Sequence, residues 1–407
     1  MDLFTLVAVF CLAVGGVALD AYQHPKTLAV KVVQRGDDTG TGLDRGLVNG
    51  IVVHELDRMA RVPSLLAQPH IRPSEQKGVI EALGDATGTA AILDVVASAV
   101  QDPPDALNLG VYAEGGKLKA YVFGSVSGVP TRDGRFDLTD TQADGETAVD
   151  TVRRATVDGA ARIDPYLAML YLLSEQERTG QDRYATSALA IAQYAERRIP
   201  PSAAFLLLAR LENIEGLVQI RRGNLDQASA SFANGLGHVP ASVVGPTPVI
   251  LRLNKAFVDL ARNDTDGAAA LLAQVDESTN HLTRLVGMHI PTSEGSVIII
   301  NDEQVNFLRS ASETIAAGIA LRRGKPDDAE THLKTALQAD PHQLGALSLL
   351  ADIQAARGNQ AAESALRGQV VQQSVTQSPY IEVALVHATL ASTADTVTLK
   401  PSQYMMR

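Results

Sequence analysis

From Leu3 to Leu19 the chain reads LFTLVAVFCLAVGGVAL, apolar on every side and without a charge. A run of this length is at the short end of what a helix needs to cross a bilayer. Residues 1–22 are therefore expected to form an N-terminal apolar helix, acting as a membrane anchor or signal-like segment. The pattern then changes. TLAVKVVQ, ending at Gln34, alternates and is β-branched, as a strand should be. Leu43, Leu47, Ile51, Val52, Leu56 and Met59 follow at helical spacing. Pro73 and Ser74 open PSEQKGVIEALG as a helix start does, and AAILDVVASAV reads as a further helix. ALNLGVYA, GGKLKAYVFGSV and GRFDLTDT predict strands, the first two joined by a tight hairpin at Glu114-Gly115-Gly116. ETAVDTVRRATVDGAARI returns to helix. This order of elements over residues 26–164 predicts a compact α+β domain with its helices on one face of the sheet.

Beyond residue 164 the apolar pattern repeats. RRGNLDQASASFANGLGHVP, from Arg221, has a near-twin in RRGKPDDAETHLKTALQADP, from Arg322. Gly216, Gly223, Ala228, Phe232, Gly235 and Pro240 stand at the same offsets as Ala317, Gly324, Ala329, Leu333, Ala336 and Pro341. Each offset has a physical use. Gly216 and Ala317 allow close helix approach, and Gly223 and Gly324 end a first helix in the left-handed region. Ala228 and Ala329 mark a helix crossing, Phe232 and Leu333 fill the gap one turn on, and the prolines stop the second helix.

The same ruler finds Gly180, Ala185, Leu189 and Ala192, with Leu173 at the small-residue position. It finds Ala256, Asn263, Ala268 and Leu272, with Asn replacing Gly at the helix end. A degenerate unit follows at Ala351 and Gly358, where Glu363 stands at the expected alanine and Ala362 is one residue early. Glu277–Gln304 shows no helical stripe and reads as an insertion, with SVIIIN a strand or extended loop. It is either a ligand-contacting insertion or a long inter-repeat loop. SPYIEVALVHATLA, 378–391, is expected to close the array as a helix, leaving 392–407 as a C-terminal tail.

This spacing resembles the tetratricopeptide repeat, a helix-turn-helix unit that cannot bury its apolar face alone and so recurs. The resemblance covers residues 165–391 and implies a mostly α chain, a helical-hairpin solenoid preceded by the α+β domain. It implies a concave groove lined by the first helix of each unit, accepting an extended peptide or a partner helix. Carried onto this chain, the groove positions are Arg210, Asn213, Leu217 and Arg221 in one unit and Thr314, Leu321 and Arg322 in the other. Ile250, Leu253 and Phe257 between them form an apolar floor. The arginines suit an acidic or carboxylate-ended partner; the alternative for each residue is a solvated face or packing within the array. The α+β order is similar to the amino-terminal domains that precede helical repeats in some bacterial envelope and signalling proteins, the Tol-system propeller protein among them.

Composition narrows the chemistry. Aromatic residues make up 4% of the chain and Trp is absent, so Ala and Leu carry the apolar load, which favours packed helices. A net charge of -11 with no basic tract argues against nucleic acid as a partner. Cys11 is the single cysteine, which excludes an intrachain disulfide and a cysteine metal cluster. His54-Glu55 lacks the second histidine of a zinc protease helix. GDDTGTG, from Gly36, lacks the Gly-Lys-Ser/Thr ending of a phosphate loop, and Asp37 and Asp38 would repel phosphate. Asp102, Asp105 and the DLTDTQADGE carboxylates do not have the spacing of a calcium loop. No catalytic residue, cofactor or metal is expected, and a carboxylate or histidine pair buried in a cleft of the α+β domain would reopen the enzymatic reading.

The expectation is a non-enzymatic adaptor, tethered through residues 3–19, that binds a protein or peptide partner in its repeat groove. Self-association is left open. The body is expected outside the cytoplasmic membrane; Lys26 and Lys31, which follow the apolar run, argue for the cytoplasmic face instead. The alternative function is a sensor or regulatory subunit whose α+β domain binds a small ligand.

Overall fold

The computed structural model describes residues 29–34, 43–66, 106–125, 135–199, 204–291, 297–376 and 380–384. The apolar run at 3–19, the 36–42 loop, the helices expected between residues 73 and 100, and the 392–407 tail lie outside these. The described chain is mostly helical with a small sheet. It divides into two compact units, one of residues 1–61 with 68–168 and one of residues 62–67 with 169–407.

In the first unit, β1 (Ala29–Gln34) pairs in parallel with β2 (Ala106–Glu114). β2 runs antiparallel to β3 (Lys117–Ser125), and β3 to β4 (Arg135–Thr141), giving the order β1-β2-β3-β4. The expected hairpin is there, with Gly115 and Gly116 at φ of 61° and 78°, which glycine adopts without strain. Leu107, Leu109 and Val111 on β2 and Leu118, Ala120 and Val122 on β3 alternate into the core. Helices α1 (Arg45–Ala60) and α2 (Ala148–Ile163) pack on each other, and α2 covers β2, β3 and β4. Gly159 sets that distance: a Cβ there would lie 2.6 Å from Val122 Cγ1 and 2.7 Å from Leu107 Cδ1. Asp44 and Thr147 cap the two helices through their side chains, each accepting an N–H from the first turn.

The second unit is a succession of antiparallel helix pairs. α3 (Pro165–Thr179) and α4 (Asp182–Arg198) follow one another across the Gly180 turn, and the packed pairs are α5 (Phe205–Arg221) with α6 (Leu225–His238) and α7 (Pro246–Ala261) with α8 (Thr265–Arg284). Then come α9 (Asp302–Arg322) with α10 (Pro326–Ala339), and α11 (Leu344–Ala356) with α12 (Gln360–Thr376). The unit boundary falls inside α3, between Ala168 and Met169. The turn of every pair holds a left-handed residue: Gly180, Gly223, Asn263, Gly324 and Gly358. After α5, α7, α9 and α11 this residue closes a Schellman motif. Gly223 N–H donates to the Ile220 carbonyl and Asn224 N–H to that of Gln219, and the pattern recurs at the other three ends. Asn263 is the one non-glycine at positive φ among the described residues, at 67°. Asn263→Gly is therefore expected to be neutral or to stabilise by up to about 0.5 kcal/mol, whereas Asn263→Ala costs about 1 kcal/mol. Urea midpoints of the two variants check the sign of that difference.

Packing follows the small residues. A Cβ on Gly216 would sit 2.3 Å from the ring of Phe232, which is fully buried, and one on Gly235 would sit 2.8 Å from Leu251 Cδ2. Ala185, Ala192, Ala228, Ala256, Ala268, Ala329, Leu333 and Ala336 are likewise buried. The first helices α5, α7, α9 and α11 also touch in sequence, forming one continuous layer. A charged tie recurs between neighbouring pairs. The arginine after a first helix reaches the aspartate opening the preceding second helix: Arg222 to Asp182, Arg262 to Asp226, Arg323 to Asp266 and Arg357 to Asp327, at 2.5–2.9 Å. Being exposed, each contributes little stability; together they hold successive pairs in one register.

Two expectations are corrected. The insertion does not begin at residue 277: α8 runs on to Arg284, because Val275, Thr279 and Leu282 extend its buried face. Polar neighbours at Glu277, Ser278, Asn280 and His281 masked that stripe. What remains is a two-stranded hairpin, β5 (His289–Pro291) with β6 (Val297–Ile299), the latter within SVIIIN. The second correction concerns residues 378–391. Within them, Tyr380–Ala384 forms a turn and bend and not a helix, since side chains of the repeats take its backbone groups. Residues 385–391 lie outside the described chain.

Candidate functional site

The segment Tyr380–Ala384 lies on the layer of first helices, and its seat is built from three of them. Asn213 on α5 and Asn254 on α7 are both fully buried. A buried primary amide must place two donors and one acceptor, and here all of Asn254's are placed. Its Nδ2 donates to the Glu382 carbonyl at 2.7 Å and to Asn213 Oδ1 at 2.8 Å. Its Oδ1 accepts the Ala384 N–H at 2.7 Å. Asn213 Nδ2 gives the Glu382 carbonyl a second bond at 3.0 Å. The two amides thus grip the main chain of this turn and leave its side chains to be read by others.

Those side chains are also seated. Ile381, Glu382 and Val383 are all buried. Glu382 Oε1 accepts from Ser64 Oγ at 2.5 Å and from Leu65 N–H at 2.9 Å. Residues 62–66, the stretch of chain after α1, therefore act as a strap beside the segment. Gln304 on α9 holds the strap by donating to the Leu65 carbonyl at 3.3 Å. Tyr380 packs edge-on against Phe307 of α9, ring centroids 5.0 Å apart, and its hydroxyl donates to Glu303. Burial, with the Glu303 charge added, pushes the Tyr380 phenol up to about 12.

The expected groove residues are distributed unevenly around this seat. Asn213 is in it. Arg210 and Leu217 are buried on the same helix, while Arg221 forms an ion pair with Glu177 of α3 and so joins neighbouring helix pairs. Ile250, Leu253 and Phe257 are buried on α7, flanking Asn254. Thr314 is buried with its hydroxyl donating to the Ser310 carbonyl one turn back, and Leu321 and Arg322 are half-buried at the end of α9. Sequence reasoning missed Asn254, Gln304, Phe307 and the Ser64–Leu65 strap. Asn254 carried a signal: an amide between Leu253 and Ala256, amid apolar positions of a first helix. The strap carried none, since its place depends on contacts distant in sequence.

Three other features bear on chemistry. Glu196 on α4 and Glu212 and Glu215 on α5 bring carboxylate oxygens within 4.8 Å of one another. These are hard oxygen donors of the kind a divalent cation uses, though fewer than it takes. Burial, and then the neighbouring glutamates, push Glu212 to about 7 and Glu215 to about 8, with Ser231 and Asn234 hydrogen-bonded to Glu212 and His238 near Glu196. From pH 4.5 to about 8 the folded chain holds protons that the unfolded chain has released, so stability falls as pH rises through that window. Glu215→Gln is expected to remove much of that slope and to stabilise the chain at pH 8 by roughly 2 kcal/mol. Thermal melts of both chains at pH 5 and pH 8 check this; equal slopes would contradict it.

In the first unit, Asp140 on β4 and Asp158 on α2 hydrogen-bond to each other, and burial pushes Asp158 to about 7. Arg154 donates to Asp140 at 2.8 Å, to Glu146 at 3.0 Å and to the Thr141 carbonyl at 3.1 Å, fastening the end of β4 and the following loop to α2. The pair is half-buried, and Arg154 lies against Asp140. Finally, a cleft of about 550 Å³ lies beside α8, lined by Arg252, Glu277, His281 and Arg284. Its lining mixes both signs of charge. Among the described residues no helix is long and apolar enough to cross a membrane. No protein-family model and no curated protein matches the chain.

Proposed function

We propose that the repeat unit is a non-enzymatic scaffold that binds a stretch of polypeptide across its first helices. In this reading the chain is a tetratricopeptide-like adaptor, tethered through residues 3–19 with its body outside the cytoplasmic membrane. One observation carries it: the paired hydrogen bonds of Asn254 to the main chain at Glu382 and Ala384. An amide that both donates to and accepts from one backbone holds a stretch of main chain whatever its side chains. The likeness of helix offsets to the tetratricopeptide repeat supports the same reading, and the net charge of -11 with no basic tract in the sequence disfavours nucleic acid.

The test is a selection of random nonapeptides displayed against the full chain, with each enriched peptide then titrated on the wild type and on Asn254→Ala. Peptides that displace the resident segment are expected to bind the wild type and to lose at least tenfold in affinity on the variant. Equal affinity for both chains, or no enrichment either on the wild type or on Tyr380→Ala/Glu382→Ala, would sink the proposal.

A further inference from the structure

We infer that Tyr380–Ala384 is the resident copy of the segment this scaffold binds, and that selectivity lies in a glutamate seat formed by the Ser64–Leu65 strap. The partner is then a peptide that takes the same turn, with an aromatic residue two before a glutamate and aliphatic residues on both sides of that glutamate. It competes with the chain's own segment. This rests on the reading of the first helices as a peptide-binding surface and adds what that surface selects.

The asparagines do not select by hydrogen bonding, because the bonds of Asn213 and Asn254 to the segment all go to its main chain. Selection falls to the side-chain seats. The Glu382 carboxylate is fully buried, and its Oε1 faces two neutral donors, the Ser64 hydroxyl and the Leu65 N–H. A buried carboxylate is tolerated only where donors of this kind meet it. A lysine or arginine there would turn donors toward donors, and an aspartate is one methylene short of the same reach. Two residues earlier, the edge-on contact of Phe307 with Tyr380 selects a ring. Ile381 and Val383, both buried, call for aliphatic side chains.

The seat also needs an occupant. With the segment removed, the Asn254 amide loses its bonds to Glu382 and Ala384, and the strap loses the carboxylate that Ser64 and Leu65 hold. The resident segment follows α12 after a short connection and so competes at the millimolar effective concentration usual for a short tether. An outside peptide of equal intrinsic affinity therefore binds the wild type weakly.

The experiment uses a fluorescein-labelled peptide of residues 378–386, SPYIEVALV, titrated by anisotropy against the full chain. The chains are the wild type and Tyr380→Ala/Glu382→Ala, whose resident segment is weakened. The peptide is expected to bind the double variant at least tenfold more tightly than the wild type. A peptide with lysine in place of the glutamate is expected to lose at least tenfold on the same variant. Hydrogen exchange on the wild type gives a readout independent of the variant's folding: excess peptide should deprotect the Ala384 amide of the chain.

Equal binding to both chains would overturn internal competition, while loss on Asn254→Ala would still leave the scaffold reading standing. Equal binding of the glutamate and lysine peptides would overturn the seat. If displayed peptides bind through Asn254 but SPYIEVALV binds neither chain, the resident segment is not the template. A concentration-dependent dimer by sedimentation, abolished in the double variant, would place the segment on a second copy and overturn the internal arrangement.

Discussion

Asn254→Ala is expected to destabilise the second unit by about 3 kcal/mol and to release Tyr380–Ala384 from the first helices. The size follows from what the amide holds. It bonds the Glu382 carbonyl, the Ala384 N–H and Asn213 Oδ1, all in a buried setting. A buried hydrogen bond contributes about 1 kcal/mol net, and a stranded partner adds its own desolvation cost. The Glu382 carbonyl keeps the bond from Asn213, which limits the loss. Asn254→Asp should be at least as damaging, because a carboxylate oxygen would then face the Glu382 carbonyl and Asn213 Oδ1 in place of a donor. Urea unfolding measures the stability and hydrogen exchange at residues 380–384 measures the release. A loss below about 0.5 kcal/mol with unchanged protection would show that the amide does not hold the segment.

Phe232→Ala should cost about 4 kcal/mol, the largest single loss expected in the repeats. The ring is fully buried and stands where a Gly216 Cβ would be, so truncation opens a cavity at a helix crossing whose backbones are held apart by other contacts. The converse change, Gly216→Ala, forces a methyl to within 2.3 Å of the ring and should cost about 1–3 kcal/mol. The twin unit solves the same space differently, with Ala317 and Leu333, both fully buried, at the equivalent positions. Gly216→Ala/Phe232→Leu copies that solution and should be less destabilising than the sum of its single changes by about 1 kcal/mol or more. Strict additivity in chemical unfolding would mean the two residues do not share the space.

Much of the repeat array was legible because its constraints are local. A left-handed helix end needs glycine or asparagine, and all five stand where the common spacing puts them, Asn263 included. The strands at 106–141 and their Gly115-Gly116 turn were readable for the same reason, as alternation and turn chemistry act within a few residues. The misplaced start of the insertion has a local cause of another kind. Three buried positions, Val275, Thr279 and Leu282, were too few against their polar neighbours to stand out as a stripe. The error at Tyr380–Ala384 is different in nature. Its composition suits a helix, and what prevents one is Asn254, 128 residues away in sequence from Glu382.

By itself, then, the sequence determined the helical pairs, their turns and the strands at 106–141, because propensity, turn chemistry and the spacing of small residues act over a few residues. It also placed Asn213 among the candidate groove positions. Only the tertiary structure decided that Asn213 and Asn254 share one carbonyl and that the chain's own segment lies across them. The same holds for the strap of residues 62–66, which receives the Glu382 carboxylate. Those bonds join residues more than a hundred positions apart, and no local pattern encodes which buried amide will meet which distant backbone.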